Sequence, residues 1–344
     1  MLFLPTEGLR AIISGAGLLL GSLLSFDALA LECHLGTVTG TVNDYEDIGA
    51  LKIPTTLPVG SRLWTSKSFT RTLACWAYKS VESSGEMSYF YPNPAGGVIG
   101  EGIGIGIIYN GLDLGVIANG GTTASRVSTG SWVNPGPSGI APPAKPTLLN
   151  ITVQLYLEKT GDITGGIVGV DSLRVFQIDG VGGVNSIPNS NYGLTLSGLH
   201  NIEVMQCSAI ITVSHNNYVE FGPVKSWNDA SAGVVAESTF HVNASTDGGD
   251  DCDRGFDLNI NFDAAASGNT LLGLDGMDMG NGSTLKIEDD FANSVNFNEF
   301  APFIDQLTPL SGIVERVYTA RLYASGPAVL GDTEKNIILR FNYN

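Results

Sequence analysis

Nineteen residues, Gly326 to Asn344 (GPAVLGDTEKNIILRFNYN), decide how the rest of the chain is read. From Ile337 onward the side chains alternate. Ile337, Leu339, Phe341 and Tyr343 fall on one face, and Ile338, Arg340, Asn342 and Asn344 on the other. A period of two in β-branched and aromatic residues is the pattern of a strand half buried against a core. No further strand follows it in the sequence, so it is expected at a sheet edge. An apolar edge left uncovered invites pairing with another chain. Something must cover it, from this chain or from another.

Three features of this region carry a family resemblance. Tyr343 is next to last, Gly331 lies fourteenth from the end with alternating apolar residues between them, and Val317–Gly326 (VYTARLYASG) precedes them as strand text. Together they resemble the last two strands of subunits of chaperone–usher fimbriae. The resemblance implies an immunoglobulin-like sandwich that lacks its final strand. A periplasmic chaperone, and then a neighbouring subunit joined at the outer-membrane usher, would supply that strand by β-strand addition. It also implies that Gly331, Ile337, Leu339, Phe341 and Tyr343 border the accepting groove, and that the Asn344 carboxylate is anchored by a basic residue of the chaperone.

Residues 1–30 read as a secretory signal. Arg10 gives a weakly positive start, Ala11–Leu24 (AIISGAGLLLGSLL) an apolar run, and Ala28-Leu29-Ala30 small residues for cleavage. The apolar run is shorter than the ~20 residues that span a bilayer, and no later stretch is long and apolar enough. The mature chain is therefore expected to be exported through the periplasm without a membrane span, beginning Leu31-Glu32-Cys33. Shaft subunits of the resembled family begin with a free alternating extension that they donate. A cysteine this early pins the first residues into a fold instead, so the chain is expected to accept a strand without donating one. Its expected place is the cell surface, at the fimbrial tip.

Four cysteines in an exported chain allow two disulfides and three pairings. Cys33 and Cys75 lie in the first half and Cys207 and Cys252 in the second. One bridge per half is the economical reading. It divides the chain into residues 31–196, a linker at 197–201 (SGLHN), and residues 202–344. Gly-, Thr- and Asn-rich text without sustained helical periodicity predicts an all-β molecule of two immunoglobulin-like or jelly-roll-like sandwiches, the second an incomplete pilin fold. The formal charge of −17, from 34 acidic and 17 basic residues, opposes nucleic acid and other polyanions as partners. Neutral glycans or protein surfaces are the expected receptors.

In the first half, strand-like runs recur at 50–53, 61–65, 73–79, 103–109, 148–159 and 172–178. Pro58–Ser66 (PVGSRLWTS) and Lys159–Gly165 (KTGDITG) resemble the receptor-binding domain of two-domain tip adhesins, which transfers no site residue by residue. Gly100–Gly106 (GEGIGIG) superficially matches a dinucleotide loop. Its alternation continues through Ile107, Ile108 and Tyr109, which is strand text, and the glycines there are expected to permit close sheet approach. Sugar recognition combines an aromatic face with amides and carboxylates. Asp113, Asn119, Arg126, Trp132 and Asn134 offer that mixture, and Tyr89 and Tyr91 with Asn93 form a second candidate. Trp64 and Trp76, in apolar strand text, are expected in the core.

In the second half, strands are expected at 210–213, 218–224 (YVEFGPV), 238–244 and 256–262. That order, with a Cys207–Cys252 bridge near the first strand, resembles the pilin domain. The acidic runs at 247–253 and 275–278 lack the ligand register of a calcium loop and are expected to be solvated turns. No two of the four histidines have metal-pair spacing, and no GxSxG or HExxH occurs. No cofactor or metal is expected. The reading that follows is a non-enzymatic two-domain tip adhesin. A structural minor pilin is one rival. The other is a secreted carbohydrate-active enzyme, which would show two facing carboxylates in a cleft.

Overall fold

The computed structural model describes residues 31–117, 125–163, 171–185, 190–248 and 252–344. The expected signal, residues 1–30, lies outside them. Among the described residues there are 21 strands and only three-residue 3-10 turns.

The first half builds one sandwich. Its strands are β1 (Leu31–Leu35), β2 (Asn43–Asp47), β3 (Leu51–Pro54), β4 (Arg62–Thr65), β5 (Phe69–Ala77), β6 (Glu86–Pro92), β7 (Ile103–Tyr109), β8 (Leu112–Val116), β9 (Val127–Val133), β10 (Thr147–Lys159), β11 (Ser172–Asp179) and β12 (Gly193–Ser197). One sheet has the order β1-β5-β10-β7-β8, with β4 also on β10, and the other the order β2-β12-β11-β6-β9. The thirteen residues of β10 show why. Leu149, Ile151, Val153, Leu155 and Leu157 fall on one face and are buried, while Leu148 and Asn150 face out. Each such side chain contributes about 1.5–3 kcal/mol of burial. Phe90 stacks on both Tyr109 and Phe176, joining the two sheets. Trp64 and Trp76 are buried, as expected. The glycine-rich run is strand β7, and a Cβ at Gly106 would overlap the Tyr156 ring, so glycine there permits close approach.

The second half contains β13 (Ile202–Met205), β14 (Ala209–Val213), β15 (Val234–Thr246), β16 (Phe256–Asp263), β17 (Met277–Asp278), β18 (Ser283–Glu288), β19 (Phe300–Leu307), β20 (Val314–Ala324) and β21 (Ile338–Tyr343). A five-stranded sheet, β14-β15-β20-β18-β17, faces a three-stranded one, β19-β16-β21. Both disulfides, Cys33–Cys75 and Cys207–Cys252, form within their own halves.

Residues 218–224 are not a strand, contrary to the sequence reading. The chain leaves β14 through three consecutive left-handed residues, His215, Asn216 and Asn217. Gly222, also left-handed, and Pro223 then break the extended run, and the segment has no ladder partner among the described residues. Strand text needs a neighbour to become a strand, and proline removes a donor from any ladder.

The segment 197–201 closes β12 and turns through Leu199, which is buried in the first core. The next strand, β13, pairs in parallel with β3 of the first half. Ile202 belongs to the first core and Met205 to the second, so the chain passes between cores within β13. Leu57 packs against both. The turn carrying it is fastened by Lys159, whose buried ammonium donates to the Thr55 and Leu57 carbonyls, the latter at 2.7 Å. Thr55 in turn donates its backbone N–H to Met205.

Candidate functional site

The C-terminal strand and the segment opposite it enclose a groove. β21 runs antiparallel to β16, with Leu339 opposite Phe262, Phe341 opposite Ile260 and Tyr343 opposite Leu258. Its alternation sends Ile337, Leu339, Phe341 and Tyr343 toward the second core. Tyr343 is buried beside Phe256, and Phe341 meets Phe303 edge-on. Arg340, on the other face, pairs with Asp263. Among the described residues β21 pairs with β16 alone, so its second edge carries no ladder partner.

Across from that edge stands β14, the outer strand of the opposing sheet. The two approach at one end, where the Ala209 backbone N–H donates to the Tyr343 hydroxyl at 3.1 Å. Burial raises the pKa of that phenol, so it stays a neutral partner. Toward the other end they part around a cavity of about 680 Å³. One bank is Val213 with Asn216–Val219 and Phe221; the other is Thr333–Ile337 with Leu339. The floor is core: Phe240, Phe262, Met279, Leu285, Ile287 and Ala320. Thus the segment wrongly expected as a strand forms a bank, and its apolar residues Val219 and Phe221 line the groove. Gly331 is not part of the lining. It lies exposed at φ 138°, where glycine is favoured for its backbone and not for close packing.

In the first half, the candidates separate into three groups. Tyr89, Tyr91 and Arg126 come together. The Arg126 guanidinium lies 4.0 Å from the Tyr89 ring centroid, donates to the Tyr91 hydroxyl at 3.3 Å, and also donates to the Val181 carbonyl. Arg126 forms no salt bridge among the described residues. Its charge is held by a ring face and two oxygens. Trp132 and Asn134 stand on β9 and just after it. Trp132 is 52% exposed, with its indole N–H directed at the Ser84 carbonyl. Asp113 is not brought to either group: it accepts from Arg62, Tyr156 and Gly115 within the other sheet. Asn119 lies outside the described residues.

Features that sequence reading missed gather at the end of the first sandwich remote from β13. Ala77 bridges to Pro135, Ser80 bonds to Gly139 and the Trp76 indole to Ile140, so the connections after β5 and β9 meet there. Val81, Ile140, Leu148 and Val181 are exposed apolar residues on or beside these connections, in addition to Trp132. Isolated apolar residues in turn-rich text give no signal that folding will collect them. Nor does the sequence show that Glu86 and Asp179, both buried, flank the same backbone at Gly180. These two carboxylates accept loop N–H groups and do not line an open cleft of the glycosidase kind.

No protein-family model matches the chain. Among solved structures the chain is similar to the chaperone–tip subunit pre-assembly complex of the archaic chaperone–usher Csu pili of Acinetobacter baumannii, at 12% identity over 90% of this chain and 99% of that one, TM-score 0.24. It is also similar to the CupB6 tip adhesin of Pseudomonas aeruginosa, at 14% identity over 91% and 96%, TM-score 0.23. A third similarity is to a chaperone–tip adhesin complex of CFA/I fimbriae, at 10% identity over 94% and 86%, TM-score 0.24.

Proposed function

We propose that the chain is a fimbrial tip adhesin: residues 31–196 bind a receptor, and residues 202–344 accept a strand from a periplasmic chaperone and then from an adjacent subunit. The observation that carries this reading is the groove. An apolar floor, an unpaired edge on β21 and a facing bank whose residues 216–221 have no ladder partner among the described residues are what an added strand needs. Leu31–Leu35 is meanwhile locked as β1 against β5, so that segment is built into the first sandwich and is not free for donation. Passage through the periplasm to the usher and display at the cell surface follow from the same reading.

Receptor contact is placed at the remote end of the first sandwich. Exposed Val81, Trp132, Ile140 and Val181, with Arg126 alongside, offer apolar contact and a few hydrogen-bond donors. The receptor is a glycan or a protein presenting an apolar face. In this reading the chain performs no catalysis.

The test is co-expression with the periplasmic chaperone of the same fimbrial system. The wild-type chain should co-purify with the chaperone at one-to-one stoichiometry, and the Leu339→Asp, Phe341→Asp double variant should not. Equal co-purification of both would overturn strand acceptance through β21. Glycan and protein arrays probed with the chaperone-bound chain, wild type against Trp132→Ala, test the receptor surface.

A further inference from the structure

The loop that follows β11, residues 180–185, is tied down by ionisable side chains on both sides of its backbone. Its N–H groups go to two buried carboxylates. Gly180 donates to Asp179 Oδ1 at 2.8 Å, Val181 to Glu86 Oε2 at 2.8 Å and Asn185 to Asp179 Oδ2 at 2.6 Å. Its carbonyls go to Tyr91, whose hydroxyl donates to Gly180 at 2.6 Å, and to Arg126, which donates to Val181. Gly180 packs against Glu86, where a Cβ would overlap the carboxyl group, while its N–H is held by Asp179. Glu86 is 3% exposed and Asp179 1%, and Glu86 Oε1 has no hydrogen-bond partner among the described residues.

Two carboxylates beside one buried glycine repel each other when both are charged, and a lone buried oxygen is costly unless a proton satisfies it. We infer that Glu86 and Asp179 hold one proton between them when the loop is closed, making residues 180–185 a proton-linked element that tightens in acid and loosens as the medium becomes neutral. A proton is the fitting cation for this pair. Asp179 already accepts from the Gly180 and Asn185 amides and from the Gln177 side chain at 2.9 Å, which leaves it little capacity for a metal. The surrounding charges agree in sign. Glu82 lies before β6, and Glu32 on β1 takes the Tyr78 hydroxyl on one oxygen and His34 on the other. Arg174 of β11 is bound to Asn43 and to the Asn191 carbonyl, and Arg126 contacts Tyr89, Tyr91 and Val181. Neither arginine reaches the pair in a salt bridge among the described residues. Burial, only partly offset by the N–H donors, pushes Asp179 up to about 6; burial, with the Asp179 charge adding to it, raises Glu86 as well.

Hydrogen–deuterium exchange on the full-length chain tests the loop itself, so the result does not depend on the receptor reading. After correction for intrinsic exchange, protection of residues 180–185 should fall by about tenfold or more between pH 5 and pH 7.5, the scale of a pKa shift of one unit or more. The double variant Glu86→Gln, Asp179→Asn keeps an oxygen acceptor at each position and removes both charges. It should retain at pH 7.5 the protection that the wild type shows at pH 5. Protection that is unchanged with pH in the wild type overturns the inference, and that arm decides even if the variant does not fold. An equal pH dependence in the double variant overturns it too.

Discussion

The two halves of the molecule use the same materials and finish differently. Each has one disulfide and a core assembled from alternating strands between two sheets. The first half faces a six-stranded sheet with a five-stranded one, and their aromatic residues stack across the interface. The second faces five strands with three, and its core reaches a groove between β14 and β21. The difference lies in the pairing order, where β21 has one strand partner among the described residues, and not in the hydrophobic pattern of any one segment.

If the groove is where the second half is incomplete, damage to β21 should fall on that half alone. The double variant Leu339→Asp, Phe341→Asp puts two charges against Phe262 and Phe303. It should cost about 5 kcal/mol or more, enough to unfold the second half. Calorimetry should then lose one transition and keep the other at its wild-type temperature. Loss of both would mean that the halves fold as one unit and would break the comparison.

Removing the Cys207–Cys252 bridge, which spans 45 residues, should destabilise the second half by about 4 kcal/mol through the freed unfolded chain. The Cys33–Cys75 bridge spans a similar 42 residues, so its removal should cost a similar amount. The consequences should differ: urea melts should show the open half falling below its folding threshold first.

A pH titration separates the halves in another way. The folded-state pKa of Asp179 is about 6, above the ordinary aspartate value. Its stabilisation of the first half is therefore fully present below about pH 4 and lost as pH rises through about 6, amounting to about 3 kcal/mol. Asp44 works in the opposite sense. Although burial opposes it, the hydrogen bonds from Arg71 and Tyr192 hold its carboxyl below the usual range. Its stabilisation is present above the ordinary aspartate pKa and is lost as the pH falls through its lowered value. The first-half melting temperature measured from pH 8 to pH 3 should accordingly rise toward about pH 4 and then decline, and Asp179→Asn should flatten the rise.

The smallest effect concerns the joint. Lys159→Met would leave the Thr55 and Leu57 carbonyls without their ammonium donor and should cost about 2 kcal/mol. Because Leu57 touches both cores, the two calorimetric transitions should move apart.

Much of this was readable in the residues. The alternation from Ile337 to Tyr343 placed a strand and its buried face, and the positions of the cysteines suggested one bridge per half. Runs such as Leu148–Lys159 carried their period openly. What could not be read was anything set by distant neighbours. Tyr218–Val224 looks like a strand, but its fate depends on whether another strand lies beside it, and Gly222 and Pro223 gave the only local warning. Tyr89 and Tyr91 share one stretch of sequence, and Arg126, from the other candidate group, meets them only through the β6–β9 pairing. Asp113 has the residue type of a sugar ligand, but it is tied up by Arg62 and Tyr156, 51 and 43 residues away in sequence. Glu86 opens β6 and Asp179 closes β11, each next to turn text, where an acidic residue is ordinary.

Strand acceptance is the central claim, and melting the full-length chain with added peptide tests it most directly. The peptide should carry five alternating apolar residues, enough to run along β21 and cover the floor from Phe262 to Ile287. The second-half transition should rise with peptide concentration, following mass action at about 2.7 kcal/mol when the peptide is at a hundred times its Kd, while the first-half transition stays fixed. A peptide of the same composition with its alternation scrambled should do nothing. A second half that melts cooperatively at one temperature, whatever alternating peptide is added, would contradict the account.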